Sequence, residues 1–177
     1  MGVTARPATA DDANAIARAH LRAWQHAYRG VIPAAHLDAL DVDERTAHWH
    51  QNLTEAVLPN GTPSPENFVA EIADQVVVGF ACVGVWRNDS ENTELGELWA
   101  MYVDPDHWGT GAGHALMEAT FDHFANQQVR TGYLWVLEAN PRARRFYERQ
   151  GWQADDVTDE DHIGGAHIVE RRYSISL

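Results

Sequence analysis

Three glycines at alternate positions, Gly109, Gly111 and Gly113, stand between a strand-like segment and a helix-like one. The strand pattern ends at Val103, and from Gly113 onward apolar residues recur at helical spacing. Glycine lets a backbone come close to a ligand and turn its N–H groups inward. The start of the helix adds unpaired N–H groups and the positive end of the helix dipole. This arrangement predicts an anion site suited to a pyrophosphate group.

Two other glycine motifs do not fit this segment. The phosphate loop of nucleotide hydrolases ends in Gly-Lys-Ser or Gly-Lys-Thr, whereas all 13 basic residues of this chain are arginines. The dinucleotide fingerprint requires Gly-x-Gly-x-x-Gly and a carboxylate further on, but the spacing here is Gly-x-Gly-x-Gly. A glycine-rich turn that binds nothing is the remaining alternative at this point.

Periodicity along the chain predicts an α/β fold. The predicted strands are Val3–Pro7, Phe68–Ile72, Val76–Trp86, Leu95–Val103, Tyr133–Leu137, Gln153–Val157 and His167–Ile175. Helices are predicted after the first, fourth and fifth of them. The last two strands are predicted to flank an acidic, glycine-rich loop, Asp155–Gly165. At this length the chain is predicted to form a single domain, residues 1–177.

A second motif follows the glycine loop. Residues 134–152 read LWVLEANPRARRFYERQGW, a strand that ends near Asn140 and a helix after it. Taken together, the two segments resemble the cofactor-binding motifs of the GNAT superfamily of acetyl-CoA-dependent N-acetyltransferases. The resemblance covers about Phe68 to Trp152, and Val3–Asp11 fits the opening strand and helix cap of that family. One departure is Trp108, where the family more often carries Gln or Arg.

The resemblance implies a fold and a cofactor site. The fold would be a mixed, mostly antiparallel sheet of about six or seven strands flanked by helices, with two splayed parallel strands holding acetyl-CoA. Backbone groups of Met101 and Val103 would pair with pantetheine. Asn140 would contact pantetheine or the reacting amide, cap its helix, or do both. The pyrophosphate would be held by N–H groups of Trp108, Gly109, Thr110, Gly111, Ala112, Gly113 and His114.

Two residues are candidates for proton transfer. Tyr147 stands where the family places a tyrosine beside the thioester sulfur, and a phenol can protonate a departing thiolate. Glu97 lies six residues before Val103 on the same strand, and an even spacing predicts that both side chains share one face. This makes Glu97 the candidate base, at an offset that some branches of the family use. The alternatives are a solvent-facing strand glutamate for Glu97, a water chain that ends on a backbone carbonyl as the base, and core packing for Tyr147.

The acceptor site is expected outside the two motifs. Trp24, Tyr28 and Arg29 lie where the first helices of the family cover the acceptor, and an aromatic pair with an arginine would suit an amino acid. Helix packing is the alternative for Trp24. The chain has 26 acidic and 13 basic residues, a formal net charge of -13, which disfavours nucleic acid. Such a surface attracts cationic amines; the alternative is that it only keeps the protein soluble.

The sequence therefore predicts an N-acetyltransferase that acts on a small-molecule amine. A protein N-terminus or lysine as acceptor, or a non-catalytic module that senses acyl-CoA, are the alternatives. No apolar run is long enough for a membrane span, so a cytoplasmic location is expected, and a homodimer is left open. No metal is expected because no group of His, Cys and Asp has metal-ligand spacing.

Overall fold

Seven β-strands form one sheet in the computed structural model, which describes residues 2–177. In chain order they are β1 Thr4–Pro7, β2 Glu66–Ile72, β3 Val76–Val85, β4 Leu95–Val103, β5 Thr131–Leu137, β6 Gln153–Ile163 and β7 Ala166–Ser176. Their spatial order is β1-β2-β3-β4-β5-β7-β6. Every neighbouring pair is antiparallel except β4 and β5, which run parallel. The predicted mixed, mostly antiparallel sheet is confirmed.

Five helices flank this sheet. They are α1 Ala13–Ala27, α2 Ala34–Asp38, α3 Val42–Thr54, α4 Ala112–Asn126 and α5 Pro141–Arg149. On one face, Ile16 of α1 and Trp49 of α3 pack against Phe80 of β3. On the other face, Leu116 of α4 and Tyr147 of α5 belong to the larger apolar core. We call these the α1 face and the α4 face. Within residues 2–177, none of the helices has the length and apolar run that a bilayer crossing requires.

The parallel pair β4 and β5 separates partway along its length. Pairing runs from Leu95 opposite Thr131 to Leu98 opposite Leu134 and ends there. Each strand continues beyond this point with its outer neighbour, since β4 pairs with β3 as far as Val103 and β5 pairs with β7 throughout. A gap therefore opens between the carboxyl ends of β4 and β5.

A bulge changes the alternation of side chains in β4. Consecutive residues of β3 pair with Leu98 and Ala100, so that Trp99 between them is an extra residue. An extra residue reverses which face the following side chains point to. Leu98 before the bulge and Met101 beyond it both contact the core on the α4 face, while Tyr102 packs on the α1 face.

The C-terminal hairpin differs from the prediction. Most of the expected loop Asp155–Gly165 is strand, because β6 continues to Ile163 and pairs there with Ala166 of β7. The turn is confined to Gly164 and Gly165, which both have positive φ. β6 is an edge strand whose acidic side chains are largely exposed, so no apolar alternation marks it as extended.

His20 of α1 packs beneath the aromatic residues of the α1 face. Its ring stacks on Tyr102 with centroids 5.1 Å apart, and its Nδ1 accepts a hydrogen bond from Trp49 Nε1 at 3.3 Å. Burial lowers the pKa of His20 to about 3, and the nearby charges of Arg45 and His48 act in the same direction. The folded protein therefore holds this ring in its neutral form.

We expect acid to destabilise the protein through His20. An unfolded histidine has a pKa of about 6.5, so the contribution of His20 to stability is complete above that pH. It is lost as the pH falls toward the folded pKa of about 3. Between pH 6.5 and 4.5 the free energy of unfolding should fall more in the wild type than in His20→Gln, by up to about 1.4 kcal/mol per pH unit. Urea unfolding measures both slopes, and equal slopes would contradict this assignment.

Candidate active site

The gap between β4 and β5 opens into a cleft of about 850 Å³. Tyr147 of α5 lines it from the α4 face, and Tyr28, directly after α1, lines it from the α1 face. Because both faces contribute to one continuous cavity, the cleft passes through the sheet. Two molecules can therefore approach each other from opposite sides at this point.

The inner edge of β4 presents backbone groups to the cleft. The N–H of Asp104 donates to the carbonyl of Val78 on β3 at 2.8 Å. Because backbone groups alternate along a strand, those of Met101 and Val103 point away from β3, toward the gap. The Val103 carbonyl accepts a hydrogen bond from Trp108 Nε1 at 2.9 Å, while β5 supplies no strand partner beyond Leu98. The Val103 carbonyl is thus already engaged, and an extended ligand can pair with the N–H of Val103 and the backbone groups of Met101.

The glycine loop leaves a row of N–H groups without partners. Gly109 and Gly111 have φ of 78° and 100°, and Gly111 precedes the first residue of α4. None of the four N–H groups from Gly111 to His114 donates a hydrogen bond to another residue of 2–177. They lie at the positive end of a 15-residue helix. N–H groups in this arrangement are suited to bind an anion.

Trp108 and the arginines of α5 form the wall next to this anion site. The guanidinium of Arg142 lies 3.9 Å from the centroid of the Trp108 ring, and Arg145 and Arg149 also line the cleft. The backbone N–H of Trp108 donates to Pro105 instead of pointing into the cleft. Trp108 thus supports the site through its ring, whereas the prediction assigned its N–H. The arginines were missed, although their spacing on one helix was a usable signal.

Asn140 acts as the cap of α5. Its Oδ1 accepts a hydrogen bond from the N–H of Ala143 at 3.0 Å, so the capping role is present. The residue also lines the cleft. A contact between its side chain and a cofactor stays a prediction.

Tyr147 is buried and still reaches the cleft. It is 7% exposed, and its hydroxyl makes no hydrogen bond to any of residues 2–177. Burial raises the pKa of this phenol above its usual value. The group is therefore protonated at neutral pH and can donate.

The position of Glu97 differs from the prediction. The bulge at Trp99 puts Glu97 and Val103 on opposite faces, so the argument from even spacing was wrong. Glu97 is 1% exposed and does not line the cleft. Its carboxylate accepts hydrogen bonds from the backbone N–H and the guanidinium of Arg87. The structure thus gives Glu97 a partner inside the protein, and its role as a base stays untested.

The three predicted acceptor residues lie in different surroundings. Tyr28 lines the cleft. Trp24 packs against Tyr28 with ring centroids 4.8 Å apart and does not line the cleft. Arg29 is exposed and lies outside the cleft lining. The geometry therefore supports one of these three residues as a direct contact.

Glu170 of β7 is a cleft residue that the sequence analysis missed. It lies opposite Leu137 of β5 and lines the cleft with Trp99 and Trp135. Desolvation raises the pKa of its carboxyl group, and the charge of Asp159 adds to that effect. Only the register between β5 and β7 brings Glu170 to the gap, and no local motif carries that information. Within residues 2–177, no group of three or more His, Cys, Asp and Glu side chains is placed to hold a metal ion.

The architecture is shared with N-acetyltransferases of known structure. PaiA N-acetyltransferase from Thermoplasma acidophilum, solved in complex with coenzyme A, matches with a TM-score of 0.72. The match covers 98% of this chain and 100% of that one, at 16% sequence identity. The fold is thus the one used by these enzymes.

The chain belongs to the acetyltransferase (GNAT) family, whose sequence model matches residues 18–152. It is an N-acetyltransferase, and the resemblance found in its two motifs is confirmed. The uncharacterized N-acetyltransferase YuaI of Bacillus subtilis is 29% identical over 169 residues, which are 95% of this chain and 90% of YuaI.

Two relatives whose names state an acceptor are similar to this chain over only part of their own length. A mycothiol acetyltransferase of Acidimicrobium ferrooxidans is 31% identical over 136 residues, 72% of this chain and 44% of that protein. The spermine/spermidine N(1)-acetyltransferase of Bacillus subtilis is 30% identical over 86 residues, 47% of this chain and 57% of that protein. Two different acceptors among relatives do not select one for this chain.

A valine at Gly111 tests the anion site. A Cβ there meets no atom within 4 Å and would project into open space, where it would keep a pyrophosphate away from the N–H groups. Affinity for acetyl-CoA, measured by calorimetry, should fall by about tenfold or more in Gly111→Val, a loss of about 1.4 kcal/mol.

The matched control is Gly61→Val. Gly61 also has positive φ and open space around its Cβ position, so it carries the same kind of backbone strain in a different loop. It should bind acetyl-CoA like the wild type. Equal affinity of Gly111→Val and Gly61→Val would contradict the site.

Proposed function

We propose that this protein transfers an acetyl group from acetyl-CoA to a primary amine of a small molecule, and that residues 1–177 form one catalytic domain. The observation that carries the proposal is the row of N–H groups from Gly111 to His114, which have no partner among residues 2–177 and lie beside a cleft that crosses the sheet. An anionic donor has its site on the α4 face. A second molecule has access from the α1 face.

The cleft residues match the parts of coenzyme A. The N–H groups at the start of α4 and the side chains of Arg142 and Arg145 match its phosphates. The backbone groups of Met101 and Val103 that face the gap match the amides of its pantetheine arm. When bound, acetyl-CoA supplies an acetyl group that is activated as a thioester.

Tyr147 is suited to act as the general acid. The thiolate that departs in acetyl transfer is stabilised by a proton donor. The Tyr147 phenol lines the cleft and lacks a hydrogen-bond partner among residues 2–177. A phenol is protonated at neutral pH, and burial raises the pKa of this one further. Its proton is therefore available at neutral pH.

The α1-face end of the cleft favours a small acceptor. Tyr28 and Leu37 pack against Ile168 of β7, so that α2 and the C-terminal hairpin meet beside this end of the cleft. This packing of α2 against the hairpin narrows the access to the cleft, so that a small molecule fits there better than the surface of a folded protein. Two relatives carry names of small acceptors, mycothiol and spermine or spermidine.

An amine panel tests the proposed function. Release of free thiol from acetyl-CoA should be measured with spermidine, 2-phenylethylamine, phenylalanine and two peptides, one with a free N-terminus and one with an internal lysine. We expect release with at least one small amine, and Gly111→Val as a control should lower it. Release with the peptides alone would indicate that the acceptor is a protein and not a small molecule. A lack of release with every amine would overturn the function.

Tyr147→Phe tests the general acid. The ring keeps its packing and loses only the proton, so kcat should fall by about 10²–10⁴-fold while the affinity for acetyl-CoA changes little. Tyr133→Phe is the control, because Tyr133 lies on β5 outside the cleft lining. Steady-state kinetics and calorimetry measure the two effects. An unchanged kcat would indicate that water, and not Tyr147, protonates the departing thiolate.

A further inference from the structure

The α1-face end of the cleft holds one carboxylate among aromatic rings. Glu170 lies opposite Leu137 of β5. Trp99, Trp135 and Tyr28 line the same cleft. This end is separated by the sheet from α4 and α5, which carry the anion site. The side chains here are therefore placed to meet the acceptor.

Glu170 lacks the arginine partner that three nearby carboxylates have. Glu97 of β4, Glu138 directly after β5 and Asp155 of β6 each form an ion pair with an arginine, in the pairs Glu97–Arg87, Glu138–Arg171 and Asp155–Arg172. The Glu170 side chain makes neither a hydrogen bond nor an ion pair with any of residues 2–177. A desolvated carboxylate without a partner costs free energy. A bound cation would remove that cost.

We propose that Glu170 binds the ammonium group of the acceptor and then removes its proton, and that the acceptor is a primary amine on a flat apolar body without a neighbouring carboxylate. This inference rests on the function proposed above. The aromatic rings offer faces to the body and to the cation. A carboxylate on the acceptor would be repelled by Glu170. The guanidinium of Arg87 is already bound to Glu97, and Arg29 lies outside the cleft lining.

The proton transfers balance in this scheme. The ammonium gives one proton to the Glu170 carboxylate and becomes a neutral amine with a lone pair. The amine nitrogen then bonds to the acetyl carbonyl carbon while the carbon–sulfur bond breaks. Tyr147 gives a proton to the thiolate, and the second proton lost by the nitrogen restores the phenol. One proton is released overall, from Glu170 to solvent.

The surroundings of Glu170 favour a base. Desolvation is the largest cause that raises the pKa of its carboxyl group. The charged and titratable groups that face it are Asp159 and Asp161 of β6, Glu97 and Tyr102 of β4, Tyr28 and Arg87. The three carboxylates raise the pKa further and Arg87 lowers it. A carboxylate with a raised pKa accepts a proton more readily than a solvated one.

The first test is binding of two matched probes to the protein. 2-Phenylethylamine and phenylalanine share a ring and an amine, and only phenylalanine has a carboxylate. Calorimetry should show tighter binding of 2-phenylethylamine, and Glu170→Gln should weaken it about tenfold or more while leaving acetyl-CoA affinity unchanged. Phenylalanine binding as tightly as 2-phenylethylamine, or an unchanged affinity in Glu170→Gln, would overturn the proposal.

The second test is the pH profile of kcat/KM for 2-phenylethylamine. Glu170→Gln should lower kcat/KM at pH 7 by about 10²–10⁴-fold, and its rate should rise only as the amine itself loses its proton in alkali. Glu138→Gln, which changes a carboxylate outside the cleft lining, should keep the wild-type profile. The same profile in Glu170→Gln and the wild type would overturn the proposal. If Glu97→Gln changes the profile instead, Glu97 is the base.

Thermal unfolding separates a role in function from a role in structure. A carboxyl group whose pKa is raised by folding costs stability at any pH above its unfolded pKa, so Glu170→Gln should have a Tm at pH 7 equal to or above that of the wild type. A lower Tm together with lost activity would indicate a structural role and overturn the proposal.

The two proposals fail in different ways. If the wild type releases no thiol with any amine, the proposed function fails and the role of Glu170 fails with it. If the wild type turns over and Glu170→Gln behaves like Glu138→Gln, acetyl transfer stands and only the inference about Glu170 is lost.

Discussion

The early end of the β4–β5 pairing is the constraint on which the site depends. Each strand keeps its outer partner, with Asp104 bonded to Val78 on one side and Leu137 paired with Glu170 on the other. Only the inner edges lose their partners. An exposed inner edge inside a sheet is costly unless another extended group can pair with it. The same gap that weakens the sheet therefore creates both the unpaired edge of β4 and the passage between the two faces.

Opposite charges are separated by the thickness of the sheet. The chain carries a net charge of -13, yet the wall of the anion site contains Arg142, Arg145 and Arg149. The other side of the cleft contains the carboxylate of Glu170, which has no partner among residues 2–177. Net charge is a sum over the whole molecule, whereas each ligand interacts with the groups near it because solvent and salt screen the rest. An acidic protein can thus have a locally basic wall on one side of its cleft and an acidic group on the other.

The core on the α1 face supports the cleft from behind. Tyr102 lines the cleft and stacks on His20, whose ring accepts a hydrogen bond from Trp49. These three side chains come from β4, α1 and α3, so the wall of the site is held by elements outside the two cofactor motifs. A neutral, buried His20 is part of that support. Stability and the shape of the cleft are therefore linked through the same contacts.

By itself, the sequence determined the family, the order of strands and helices, the glycine loop Gly109–Gly113 before α4 and the position of Tyr147 on α5. These features lie within continuous strand–turn–helix segments, where the regular geometry of each element fixes the relative positions of residues from their spacing in the sequence. The tertiary structure alone decided that Glu97 faces away from Val103 and that Glu170 reaches the cleft. The first depends on a bulge opposite β3 and the second on the register between β5 and β7. Both are set by hydrogen bonds between segments distant in the chain, which no local pattern of residues encodes.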